Sequence, residues 1–272
     1  MRETEAQIGN PGSDLYLALV LRFERSYMAY TNEPQGIQGL WIGSALSAME
    51  QLSIKSFLAN RHQYHLYTYG PVAGIPSGTT VHDGNEILPA SMIFQYRDRK
   101  SYAGFSNFFR YKLLLEKGGW WSDLDMVCLK PLDHPGDYVF AAERENNSKE
   151  YVATGLIKVP RASAIMGYAW EVCLSKDTKQ ITWGETGPLL LDAAVRKFAL
   201  QQDVRPASVF CPIPYDRWQE LIIPRKDISF SENTYTVHLW NEMWRLSDAD
   251  KNKLYPQSCI YERLKTRYAN WD

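Results

Sequence analysis

Four cysteines are all this chain has, Cys128, Cys173, Cys211 and Cys259, widely separated and with no C-x-x-C among them. That spacing excludes a zinc knuckle and a disulfide framework, and reduced cytoplasmic thiols are the expectation. Excess charge of one sign is also missing. Thirty basic residues against 31 acidic ones leave a formal net charge of −1, and the two signs are interspersed, so the electrostatic footprint of a nucleic-acid binder is absent. A long apolar run is lacking as well. The best stretch, 15–21, is closed by Arg22, Glu24 and Arg25 far short of a membrane span, and Glu3, Glu5 and the want of a small-residue cleavage site read against a signal peptide. No transmembrane segment is expected, while contact of the N-terminal segment with a membrane surface stays open. Neither repeats nor low-complexity segments interrupt the pattern. What is present is ample apolar content for a buried core, 45% of residues, together with nine Trp and 17 Tyr suited to stacking on bases and sugars.

The order of elements predicts an α/β protein. Residues 1–36 read as an N-terminal extension, partly helical over 14–30, that stops before Thr31-Asn32-Glu33-Pro34. From Ile37 the pattern becomes strand (38–42), helix (45–58) and strand (64–69), the start of a sheet with a crossover helix, and residues 37–272 are taken as one domain. A short strand follows a Gly/Pro-rich loop near Thr80-Val81-His82. A helix over 106–117, capped by Ser106 and stopped by Gly118-Gly119, then delivers the chain to the next strand. Further strands are expected at 138–142, 152–159, 208–212 and 235–240, and helices at 161–175 and 187–200.

The strand after Gly119 carries Asp123-Leu124-Asp125. Alternation on a strand would place both carboxylates on one side, with Leu124 and Met126 turned the other way. Two such acids repel unless a cation lies between them. An oxygen-rich pair suits Mg²⁺ or Mn²⁺, which is most useful when it also binds a diphosphate such as that of a nucleotide-sugar. Solvated acids at a strand end are the plain alternative for an isolated D-x-D.

Four ordered motifs decide between them. Leu40-Trp41-Ile42-Gly43, then 105–111 opening a helix, then Gly118-Gly119 with Asp123-Leu124-Asp125, and finally His238-Leu239-Trp240-Asn241 resemble the D-x-D glycosyltransferases of family thirty-two, whose donor site is similar to that of the clostridial glucosylating toxins. The resemblance covers 37–241. It implies a GT-A fold, a Rossmann-like mixed sheet with the nucleotide over the strand ends, where ligands of open α/β sheets bind. It also implies a retaining, metal-dependent hexosyltransferase that takes a UDP- or GDP-sugar donor and a glycan or lipid-linked saccharide acceptor. Surface polysaccharide assembly in the cytoplasm, at the inner face of the membrane, is the setting that family habit suggests. Toxin-like protein glycosylation and a non-catalytic nucleotide- or carbohydrate-binding module on the same fold are the alternatives, and the intact acids at 123 and 125 favour an enzyme.

The resemblance assigns roles residue by residue. Trp41 beside Gly43 matches the tryptophan that stacks on the base, against the reading of a core indole. Asn107 and Arg110 share a helix face and stand where the family has D-x-x-R, binding donor hydroxyls or diphosphate, against a cap and a surface charge. The amide at Asn107 can still bond hydroxyls but lacks the acid's charge. Asp123 and Asp125, with His238, are the candidate ligands of Mn²⁺ or Mg²⁺, and Trp240 shares the face of His238. Glu185, in Trp183-Gly184-Glu185-Thr186-Gly187-Pro188, stands either near the anomeric carbon or as an acid at a helix N-terminus.

Overall fold

The computed structural model describes residues 36–145, 150–224 and 229–269. The expected N-terminal extension, including its helix over 14–30, lies outside the described residues. Contacts group Gln35–Asp272 into one compact unit.

Its centre is a seven-stranded mixed sheet. In chain order the first half supplies β1 (Ile37–Trp41), α1 (Ala48–Ala59), β2 (Tyr64–Thr68), β3 (Thr79–Asp83), α2 (Ala103–Lys117), β4 (Gly119–Ser122) and β5 (Met126–Cys128). The second half supplies β6 (Val139–Glu143), β7 (Tyr151–Val159), α3 (Ala164–Leu174), α4 (Pro188–Lys197), β8 (Val204–Arg205), α5 (Ala207–Phe210), β9 (Thr236–His238), α6 (Asn241–Leu246) and α7 (Ile260–Tyr268). The strand order is β3-β2-β1-β4-β7-β6-β8, with β5 and β9 forming a separate antiparallel pair. Strands β1 to β4 run parallel, β7 is antiparallel to both β4 and β6, and β8 is parallel to β6.

Two apolar clusters make up the core. One gathers α1, β5, β9 and α7 around Phe57, Val127, Val237 and Tyr261, and the other gathers α2, α3 and α4 around Phe109, Leu113, Met166 and Leu191. Helix α1 begins on a capping box, with the Ser47 side chain accepting from the Met49 amide and Glu50 accepting from the Ser47 N–H. Its small polar residues then seize β5, for Ser53 Oγ donates to the Met126 carbonyl at 2.6 Å and Ser56 Oγ accepts from the Cys128 N–H at 2.7 Å. Buried strand ends are satisfied without water, and β5 is fixed just past the acidic motif.

Three expectations are corrected. Helix α2 starts at Ala103 with Tyr102 in the cap position and no side-chain cap bond, so Ser106 is interior to the helix. Residues 208–212 are not a strand, because Pro206 opens the short helix α5 in their place. The acidic motif is not on a strand either. β4 ends at Ser122, the Asp123 N–H still pairs with the Gly155 carbonyl of β7, and the Met126 N–H closes a turn onto the Asp123 carbonyl at 3.2 Å. The chain crosses here from the large sheet to the small one, and the two aspartates occupy the crossing.

Candidate active site

The path to the crossing starts at the end of α2. Gly118 sits at φ 67°, and a Cβ added there would lie 2.4 Å from the Arg161 backbone nitrogen, so only glycine turns the helix into β4 this tightly. Gln38 of β1 donates from its side chain to the Gly118 carbonyl at 2.8 Å and locks the two parallel strands in register. That register pairs Gln38 with Trp121, so Trp41 falls level with the acidic turn. Gly39 makes the approach possible, since a Cβ there would lie 2.7 Å from both the Leu124 side chain and the Tyr64 hydroxyl.

At the turn each aspartate has its own cationic partner. Asp123 Oδ1 accepts from Arg110 Nη2 at 2.5 Å and from the Trp121 indole at 2.8 Å. Arg110 Nη1 donates to Asn107 Oδ1 at 2.6 Å, and the guanidinium lies 4.8 Å from the Trp121 ring centroid. Arg110 is only 2% exposed, so the alternatives of a helix cap at Asn107 and a surface charge at Arg110 are excluded. Arg110 Nε has no hydrogen-bond partner among the described residues. The opposite turn packs closely here, because a Cβ on Gly187 would come within 3.0 Å of the Asn107 amide.

Asp125 faces the small sheet. Its Oδ2 lies 3.1 Å from His238 Nε2 and accepts the Asn241 N–H at 2.8 Å, while its carbonyl accepts the Leu239 N–H. The pairing Met126↔His238 between β5 and β9 is what brings the histidine, more than a hundred positions away, to the acid. Burial works against charge on both groups. The imidazolium and the two donated hydrogen bonds outweigh it for Asp125, whose carboxyl is held below its ordinary value, and Asp125 in turn lifts His238 well above 6.5. Burial, with the neighbouring Asp125, pushes Asp123 the other way, opposed by Arg110 and Trp121.

The remaining expected residues fall into two groups. Trp240 belongs with the acids. Its ring centroid is 3.7 Å from that of His238, its indole N–H donates to the Ile213 carbonyl, and its left-handed φ of 60° starts α6. Trp41 is partly buried at the end of β1, neither fully core nor free, with Lys251 5.7 Å from its ring and Gly43 folded against the indole nitrogen. Glu185 is half-buried in its own turn, paired with Lys176 and accepting from the N–H and hydroxyl of Thr182, which together hold its carboxyl at about 2.

Sequence reasoning missed Glu143. It ends the apolar run of β6, is 8% exposed, and shares a hydrogen bond with Tyr151, its cross-strand partner. Burial raises its carboxyl to about 7, and the charges of Asp123 and Asp125 add to the rise. An acid closing four buried apolar positions was the available signal, but only the pairing of β6 with β7 turns it toward the site. Lys251 was missed for a similar reason, since it lies in a loop that only the fold carries back to Trp41.

A buried cavity is not what this geometry offers. It offers an open acidic turn at the carboxyl ends of β1 and β4, with two carboxylates, an imidazole, a guanidinium and the indoles of Trp41, Trp121 and Trp240. The donor types suit a divalent cation. Asp123 Oδ2 and the His238 ring flank the same glycine, each 3.6 Å from where a Gly155 Cβ would sit. Among the described residues no group of three His, Cys, Asp or Glu side chains is arranged as a ready-made metal cage.

The comparisons agree with this geometry. Residues 48–143 match the family model described as glycosyltransferase sugar-binding region containing DXD motif, and 175–268 match the alpha 1,4-glycosyltransferase conserved region. The chain is a glycosyltransferase, and its fold is a mixed α/β sheet flanked by helices with the acidic turn at the strand ends. Among curated proteins no sequence match is found. Similar solved structures include the PaToxG glycosyltransferase, at 16% identity over 68% of this chain and 79% of that one with a TM-score of 0.47. An active-site mutant of LgtC aligns at 14% identity over 86% and 95% of the two chains with a TM-score of 0.40. GlyE of Streptococcus pneumoniae TIGR4 aligns at 12% identity over 89% and 61% with a TM-score of 0.47.

Proposed function

We propose that this glycosyltransferase is a retaining hexosyltransferase that depends on a divalent cation, Mn²⁺ or Mg²⁺, and moves a sugar from a UDP- or GDP-sugar to a glycan or lipid-linked saccharide. The observation that carries the reading is the split partnership at the turn. Asp123 is tied to Arg110 and Trp121 on the α2 side, and Asp125 to His238 and the Asn241 amide on the β9 side, with Trp41 level with both. The bound cation would be held by Asp123 and Asp125, and by His238 only after its imidazole gives up the proton it shares with Asp125, and it would neutralise the leaving diphosphate as a Lewis acid.

The protein's own residues do the rest. Trp41 stacks on the base, an interaction worth roughly 1–3 kcal/mol, and Gly43 lets the ligand approach. Arg110 fixes Oδ1 of Asp123 and leaves Oδ2 for the cation, while Asn107 stands on the sugar side to exchange hydrogen bonds with hydroxyls. Trp240 packs its ring closely against that of His238, tilted by 35°, and limits its rotation. Charge developing at the anomeric carbon would be of the oxocarbenium type common to glycoside chemistry. Assembly of a surface polysaccharide, in the cytoplasm at the inner face of a membrane, is the setting we favour; no described helix is long and apolar enough to cross a membrane.

Asp125→Asn should abolish cation-dependent release of nucleotide from the donor, by about a hundredfold or more if an electrostatic contact to the leaving group is lost. Chelator should do the same to the wild type. Unchanged turnover in a folded Asp125→Asn protein, still dependent on the cation or never dependent on it, overturns the reading.

A further inference from the structure

Lys251 lies in the loop between α6 and α7, a segment whose place in the reaction is not evident from its composition. Its ammonium is tied to three parts of the site. It pairs with Glu50 of α1, whose side chain is 1% exposed, and donates to Asn241 Oδ1 at 3.0 Å. It also lies 5.7 Å from the centre of the Trp41 ring. The loop is held at its neighbours too, for Asn252 Oδ1 accepts the Ala48 N–H at the start of α1 and the Tyr261 hydroxyl donates to the Lys251 carbonyl at 2.8 Å.

Asn241 is the link that matters. Its side chain takes the hydrogen bond from Lys251, and its backbone N–H gives one to Asp125 Oδ2. Lys251 therefore bears on Asp125 through a single residue while standing beside the indole at the other end of the site. A buried carboxylate at Glu50 keeps the ammonium in place, and a cation paired this way resists rearrangement more than an exposed one.

We propose that Lys251 is a positioning residue for the acid pair: through Asn241 it fixes the orientation of Asp125 and ties that orientation to the Trp41 end of the site. The proposal rests on the reading of Asp125 as a cation-binding acid. It predicts that the loop between α6 and α7 sets how readily the cation is held, although no atom of Lys251 touches it.

Two variants test this. Lys251→Met strands Glu50 and can cost folding, so Asn241→Ala is the cleaner one, since it severs the Lys251 link and keeps the backbone N–H. The first readout is amide exchange at position 241 in cation-free protein, with the Leu239 amide, which bonds the Asp125 carbonyl, as internal reference. The second is the Mn²⁺ concentration giving half-maximal binding of UDP or GDP, whichever the wild-type protein takes. Asn241→Ala should speed exchange at 241 and raise that Mn²⁺ concentration, each about tenfold, the equivalent of one charge-assisted hydrogen bond. The melting temperature and the Leu239 amide should stay close to wild type. Lys251→Arg should restore most of what Lys251→Met loses. Wild-type exchange at 241 together with wild-type Mn²⁺ dependence in Asn241→Ala overturns the proposal. Failure of wild-type protein to bind either UDP or GDP would instead overturn the functional reading, and the exchange measurement would still decide whether the clamp exists.

Discussion

Asp123 and Asp125 are two positions apart and have opposite surroundings. Asp125 is the better satisfied, with an imidazolium and a backbone N–H on one oxygen, while Asp123 shares Oδ1 between Arg110 and Trp121 and keeps Oδ2 uncommitted. Such asymmetry suits a pair in which one acid is anchored and the other is available. Glu143 adds a third acid nearby, and its environment has a consequence for stability that does not depend on any ligand. Burial lifts its carboxyl from 4.5 to about 7, so between those values the folded protein keeps a proton that the unfolded chain releases. Stability must then fall as pH rises through that window and level off above it. Glu143→Gln removes the dependence. Its stability should exceed that of wild type increasingly from pH 5 to pH 8, by up to about 3 kcal/mol. Parallel urea-melt profiles for the two proteins across that range would show that Glu143 is not held in its protonated form.

Short elements with fixed ends set the geometry at the next scale. Helix α2 does not present Arg110 by accident of exposure; it buries one face against Trp121 and stops on Gly118, whose left-handed backbone throws the chain into β4. Gly118→Ala would force a Cβ into the Arg161 backbone and strain a φ of 67°. Strain and overpacking together predict a loss of about 2–5 kcal/mol, measurable as a lowered denaturation midpoint. A variant as stable as wild type would mean that the α2–β4 junction relaxes freely, and the link between helix and acids would be weak. Strand β9 acts the same way from the other side, since three residues, Thr236–His238, suffice to place the imidazole because β5 accepts them in fixed register.

For the molecule as a whole, the acidic turn is the seam between two sheets, and ligand there should stiffen both. A nucleotide-sugar with Mn²⁺ at a hundred times its dissociation constant should add about 2.7 kcal/mol of stability. For a body of this size that is a rise in Tm of roughly 5–10 °C. A panel of UDP- and GDP-sugars, each with Mn²⁺ and with chelator, reads this directly and names the donor. If no member raises Tm, nucleotide-sugar binding at the seam is excluded.

Much of this was legible in the residues themselves. Apolar runs of the right length and period marked β1, β2, β7, α1 and α4, because hydrophobic patterning is local to an element. The D-x-D, the W-x-G of β1, the N-x-x-R of α2 and the late histidine could be singled out because their chemistry is unusual where it stands. What the sequence could not determine was which of them meet. Alternation put Asp123 and Asp125 on one strand face, whereas the chain turns between them, since leaving one sheet for the other gives each acid a separate partner. Glu185 stood out by its neighbours in the chain, and only the fold shows Lys176 and Thr182 as partners of its carboxylate. Glu143 and Lys251 carried no motif at all. Their charges matter because strand pairing and a loop return bring them to the acids, and electrostatic energy depends on distance in space and on burial, neither of which is written in the spacing of residues along the chain.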